Sequence, residues 1–133
     1  MVTVIKGSEK SYIKMTVAIN KSSSLDKIFS PDGAKLMEIF TGYNATNWLY
    51  KGNTVSNDTR TYEFWYKDVV DASAAKEDIA LDALFDSITV PGTITGKQLK
   101  TIEGMTITVN AYAIQADGFA DAAAAWAAFN AQK

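Results

Sequence analysis

Acidic pairs are the first residues whose type and spacing suggest chemistry. Asp26 with Asp32, and Asp82 with Asp86, could be imagined as the two carboxylates of a glycosidase. Nothing in the sequence sets either pair across a cleft, and acids four residues apart on a short surface helix are ordinarily solvated charge. Asp117 with Asp121, joined by Glu103, is the nearest approach to a cation site. Calcium favours oxygen-rich turns, but the alternating ligands and closing Glu of an EF-hand loop are missing. A turn Asp followed by a helix-capping Asp explains the pair. Ser22-Ser23-Ser24 offers hydroxyls without a base, and neither a GxSxG elbow nor an SxxK motif is present. The chain has no His and no Cys. A zincin HExxH site, a Ser-His-Asp triad, a Cys nucleophile and a disulfide are therefore excluded within it. No GxGxxG or Walker sequence marks a phosphate site. The expectation is a protein that is not an enzyme, with no catalytic residue, no cofactor and no metal.

Binding remains. Tyr43, Trp48, Tyr50, Tyr62, Trp65 and Tyr66 form an aromatic set that could stack on sugars or bases. A net charge of -2 and a pI near 5.0 leave no basic footprint for nucleic acid or an anionic membrane, so sheet and core packing is the favoured use of these rings. No apolar run approaches the roughly 18 residues of a membrane span, and no secretory leader stands at the start. Asn-X-Ser/Thr triplets at Asn20, Asn44 and Asn57 are expected by chance in a chain rich in Thr, Ser and Asn. At 133 residues, 47% of them hydrophobic, residues 1–133 suit a single domain with one core.

The elements that must position these residues are read from period. Met105, Ile107, Val109, Ala111 and Ala113 alternate with polar residues, which predicts a long strand, expected to be central. Asp117-Gly118 ends it, and Phe119, Ala122, Trp126 and Phe129 then share one face of an alanine-rich helix. Val2 and Val4 sit on one face of a short first strand. Ile13, Met15, Val17 and Ile19 mark a second, with Lys14, Thr16 and Ala18 on its wet face. Asn20 to Ser24 reads as a loop. Ser30-Pro31 starts a helix that buries Leu36, Met37 and Phe40 and ends at Gly42. A hairpin follows, with its turn at Gly52-Asn53 and a second arm whose Tyr62, Phe64 and Tyr66 face in while Thr61, Glu63 and Trp65 face out. Ile79, Leu84 and Phe85 suggest a helical turn, Ile88 to Val90 a brief strand closed by Pro91-Gly92, and Thr95 a cap for a helix with Leu99 and Ile102 inward. Many short strands with helices in the connections predict a mainly β, antiparallel sandwich of jelly-roll type with a C-terminal helix. A sandwich whose first strand begins at residue 2 is expected to leave an edge open to strand addition, unless Lys6, Lys10 and Lys14 blunt it.

Three stretches then fall in a familiar order. These are Val2-Thr3-Val4 through Gly7-Ser8-Glu9 to Ser11-Tyr12-Ile13-Lys14-Met15; Thr61-Tyr62-Glu63-Phe64 with Leu84-Phe85 and Ile88-Thr89-Val90-Pro91; and Val109 to Phe119 with Ala125-Trp126-Ala128-Phe129. Together they resemble the TasA/camelysin family of Gram-positive bacteria, most specifically at Ala-Ile-Gln-Ala-Asp-Gly-Phe and its Ala-Trp helix. The resemblance implies a secreted jelly-roll protein of the biofilm matrix or cell surface. In its fibres an N-terminal strand of one subunit completes the sheet of the next. The signal peptide and the segment that usually precedes the Val-Thr-Val strand are not in this sequence. Partners implied are further copies of the chain or a related matrix protein, with no nucleic acid and no membrane insertion. Val2, Val4, Ile13, Met15, Val17 and Trp65 are the expected assembly surface. An alternative is a monomeric adhesin or carbohydrate-binding module using Trp65 and Trp48. The metallo-endopeptidase activity named for camelysin is discounted, because zinc would have to be held by carboxylates alone.

Overall fold

Runs of β-branched and aromatic residues at period two become the long strands of a computed structural model that describes residues 2–29, 39–88 and 95–131. In chain order the strands are β1 (Thr3–Val4), β2 (Ser11–Asn20), β3 (Phe40–Thr41), β4 (Trp48–Ser56), β5 (Thr59–Tyr66), β6 (Ile79–Ala80), β7 (Ser87–Ile88) and β8 (Ile107–Gln115). The helices are α1 (Ser22–Phe29), α2 (Gly96–Thr101) and α3 (Ala122–Ala131). One antiparallel sheet has the order β4-β5-β2-β8, and two antiparallel ribbons, β1-β6 and β3-β7, lie over its inner face. The expected mainly β, antiparallel, sandwich-like architecture with short helices and a helix near the C-terminus is what the chain builds.

The core is the space between sheet and ribbons. Ile13, Met15, Val17 and Ile19 of β2 enter it together with Tyr62 and Phe64 of β5 and Trp48 of β4. The ribbons close it with Val4 and Phe40, and Leu81 just past β6 joins them. Phe40 meets Tyr62 and Phe64 edge to face, at centroid separations of 4.8 and 5.8 Å, a geometry that sets ring edges on ring faces.

Several local expectations are corrected. The hairpin does not reverse at Gly52-Asn53. Instead β4 runs through those residues with a bulge between Tyr50 and Gly52. The reversal is at Asn57-Asp58, whose φ values of 53° and 59° are the left-handed pair of a tight primed turn, tolerated by Asn and Asp. Asp58 then starts α1, since its Oδ1 accepts from Ser23 N at 2.9 Å and Ser22 Oγ at 3.2 Å. Ser22 to Ser24 are helical, not loop, because a distant carboxylate caps them. Those hydrogen bonds from Ser23 hold the Asp58 carboxyl below its usual value. Phe40 is a strand residue paired with Ile88, not the end of a helix. Ser30, Pro31, Asp32, Leu36, Met37, Thr89, Val90, Pro91 and Gly92 lie outside the described residues. Gly42, at φ 74°, lies so close to Asp86 that a Cβ would collide with its carboxylate. Ile79 lies in β6, and Leu84 and Phe85 pack on the core from an irregular segment. Thr95 does cap α2 through a full capping box, and Ile102 is buried, but Leu99 faces water.

Phe64 is wholly buried, so Phe64→Ala is expected to cost about 3–5 kcal/mol by chemical denaturation; a loss below about 1 kcal/mol contradicts this packing. Burial pushes the Tyr62 phenol up to about 12 from 10.0. The folded state then holds its proton where the unfolded chain has released it, and stability falls as pH rises from about 10 towards 12. Thermal melts across that interval should show a shallower decline in Tyr62→Phe than in the parent chain.

Candidate functional site

The strand expected at the centre of the sheet is an edge. β8 pairs with β2 over Ser11–Ile19, and among the described residues no other strand pairs with it. Ile107, Val109, Ala111 and Ala113 stand directly opposite Ile19, Val17, Met15 and Ile13, so they share the inner face. Yet Ile107 and Val109 are 42% and 46% exposed, while their partners Ile19 and Val17 are almost completely buried. Period two records that one face of a strand is apolar; it carries no information on how many neighbours the strand has.

Two hollows of about 280 Å³ each lie along the inner side of β8. The first is lined by Val2, Val4, Ile13, Ala111 and Ala113 among others. Val2, Met15, Leu84, Phe85 and Val109 line the second. The small side chains of Ala111 and Ala113 leave the first hollow open. An extended segment laid along this edge can continue the ladder and set every second side chain, about 6.6–6.8 Å apart, over these hollows.

The expected assembly residues fall into three groups. Val4, Ile13, Met15 and Val17 are core residues; β2 is paired on both sides by β5 and β8 and presents no edge of its own. Val2, Val4, Ile13 and Met15 nevertheless line the hollows beside β8. Val17 is fully enclosed. Trp65 lies on the outer face as expected, half-buried, two strands away from β8. Its Nε1 donates to Glu63 Oε2 at 2.8 Å, and Lys51 Nζ sits 4.7 Å from its ring centre. Trp48, the other ring expected to serve a glycan, is completely buried with Nε1 donating to the Asp82 carbonyl at 2.9 Å. The acids are placed without forming a metal cluster: among the described residues no group of three His, Cys, Asp or Glu could hold an ion. Asp121 caps α3 by accepting from Ala124 N at 2.9 Å, and Asp26 accepts from Arg60 at 2.7 Å.

Lys14 was expected on a wet face and is instead 2% exposed. It stands opposite Tyr112, where α3 covers the outer face of the sheet. Its ammonium lies 4.4 Å from the Trp126 ring centre, 4.9 Å from Phe129 and 5.5 Å from Tyr112. Glu63 Oε1 is 3.8 Å away. Three ring faces and a carboxylate compensate the desolvation of the charge. The apolar stripe of α3, Trp126 and Phe129, was legible. What it packs on was not, because a Lys at an alternating position reads as solvent-facing. Tyr112 and Ile114, apolar on the outer side of β8, do indicate a cover over the end of that strand, but alternation alone does not set Lys14 of β2 beneath it.

No helix among the described residues is long and apolar enough to cross a membrane. No protein-family model, curated protein or solved structure matches the chain. Trp126 is almost fully buried against Lys14, so Trp126→Ala is expected to destabilise the fold by about 3–5 kcal/mol. Native-state hydrogen exchange should show β8 amides losing protection before those of β2; equal loss in the two strands contradicts a role for the ring in holding α3 on β8.

Proposed function

We propose that the chain is a secreted structural protein, a subunit of extracellular matrix or surface fibres that grows by strand addition, with the edge of β8 that no described strand pairs as the acceptor. The observation that carries this reading is a nine-residue edge strand whose inward side chains are exposed above two apolar hollows. Proteins usually blunt such an edge with charge, Pro, a bulge or shortness. β8, Ile-Thr-Val-Asn-Ala-Tyr-Ala-Ile-Gln, contains no charged residue and no Pro, and it pairs with β2 without a register shift. The opposite edge of the same sheet, β4, carries Lys51 and a bulge. Among the described residues, one edge is protected and the other is not, which is what a subunit with a dedicated acceptor needs.

The occupant proposed is an extended segment of another copy with apolar residues at alternate positions. Its main chain completes the ladder while its side chains fill the hollows, each contributing on the order of 1.5–3 kcal/mol if fully buried. The resemblance to TasA/camelysin proteins supports the same mode of assembly and an extracellular setting. No catalytic role is proposed.

Val109→Lys places a charge at the centre of the proposed acceptor edge, at a half-exposed position beside the second hollow, and should cost no more than about 1 kcal/mol of stability. At high concentration the parent chain is expected to form fibres or ordered oligomers by negative-stain electron microscopy, and Val109→Lys to remain monomeric by sedimentation. If the parent stays monomeric under all conditions tried, or if the variant assembles equally well, strand addition at β8 is wrong.

A further inference from the structure

The outer face of the sheet carries a third, polar hollow, away from β8. It lies between β4 and β5, has a volume of about 280 Å³, and is lined by Lys51, Gly52, Asn53, Thr54, Thr61 and Glu63. Thr54 stands opposite Thr61 and Gly52 opposite Glu63, which puts these pairs on the same face as Trp65. The bulge between Tyr50 and Gly52 turns Lys51 onto that face, where its ammonium lies over the Trp65 ring. Gly52, at φ 116°, leaves the wall open; a Cβ there would meet nothing within 4 Å.

Two charged groups of this hollow are already oriented. Glu63 is held by Trp65 Nε1 on one oxygen, at 2.8 Å, and faces the Lys14 ammonium with the other, at 3.8 Å. Lys51 is held by the indole ring. Binding a ligand here therefore costs little rotamer freedom. The chemistry offered is an acceptor in Glu63, a donor in Lys51, and two threonine hydroxyls that do both. Neutral polyhydroxylated ligands need such a mixture. A phosphate would meet the Glu63 charge.

We infer that this hollow binds one sugar residue of a neutral polysaccharide, with Glu63 and Lys51 hydrogen-bonded to its hydroxyls and the rest of the polymer passing over the exposed β4 edge. The inference does not depend on strand addition, since it uses the other face and the other edge of the sheet. It differs from a site built on Trp65 and Trp48 together, because Trp48 is buried in the core.

The test is to titrate cellotriose, maltotriose and chitotriose into the 15N-labelled chain and follow the indole N–H signals of its three tryptophans. At least one of the three sugars should shift the Trp65 signal saturably, through its acceptor Glu63, while the signals of buried Trp48 and Trp126 stay in place. Lys51→Gln, at an exposed position, and Glu63→Gln should each weaken that binding about tenfold, the loss of one charge-assisted hydrogen bond. Val109→Lys should leave it unchanged. Absence of a saturable Trp65 shift with all three sugars, or unaltered affinity in Lys51→Gln with its fold confirmed by melting, overturns the assignment.

Discussion

The ammonium of Lys14 is withdrawn from water between Tyr112, Trp126, Phe129 and Glu63, and the outer layer of the protein depends on that contact. Removing an ion from solvent costs several kcal/mol unless close partners compensate it. Desolvated cation–π contacts return up to about 2 kcal/mol each. The dependence also runs the other way. α3 has ten residues, fewer than the roughly 12–15 an isolated helix needs to be stable in water, and it has no ion pair along its length to help. It holds because Trp126 and Phe129 have a cation and Tyr112 to pack on. Helix and buried charge are each conditional on the other, and both are anchored on the β2-β8 pair.

That arrangement makes β8 asymmetric. Its outer side is covered where Tyr112 meets Phe129 at 5.6 Å. Its inner side is half-exposed and its far edge carries no strand among the described residues. A strand stabilised on one face and one edge can remain ordered with the other edge unpaired. β4, at the opposite end of the sheet, has its exposed residues interrupted by the bulge and Lys51. The same physical problem, a row of backbone groups that no described strand pairs, is met with blunting at one end and with none among the described residues at the other. Strand addition rests on that contrast more than on the apolar character of β8 alone.

The sequence made local alternation legible and left neighbours illegible. Ile13, Met15, Val17 and Ile19 enter the core as their spacing indicates, and so do Tyr62 and Phe64, because a buried face imposes period two wherever the strand sits. The existence of β8 followed from the same signal. Its place at the edge did not, since the strand next to it in space, β2, lies almost a hundred residues earlier in the chain. Ser22 to Ser24 read as loop because their cap, Asp58, comes from another hairpin. Gly52-Asn53 and Asn57-Asp58 are both plausible reversals; Gly52 uses its positive φ for a bulge, leaving Asp58 to turn the chain. Lys14 was misplaced because alternation assigns a face but not what covers it. At the candidate sites, Val2, Val4, Ile13 and Met15, expected as an assembly surface, line the floor of the hollows beside β8, while the edge of the sheet carries Ile107, Val109, Ala111 and Ala113.

The two candidate surfaces are arranged so that use of one does not consume the other. β4 and β8 are separated by two intervening strands, about 14 Å across the sheet at ordinary strand spacing. A strand added at β8 extends the sheet away from β4 and fills hollows on its inner side. The polar hollow of Glu63 and Lys51 is on the outer side, near the far edge, and stays open to solvent in that geometry. Glu63 nevertheless joins the two halves of the sheet. One of its oxygens faces the Lys14 charge beneath α3, and the other accepts from Trp65 beside Lys51. A carboxylate fixed from both sides orients the outer hollow by the same contact that keeps α3 on β8. The order of β8 and the shape of the polar hollow therefore draw on one buried charge.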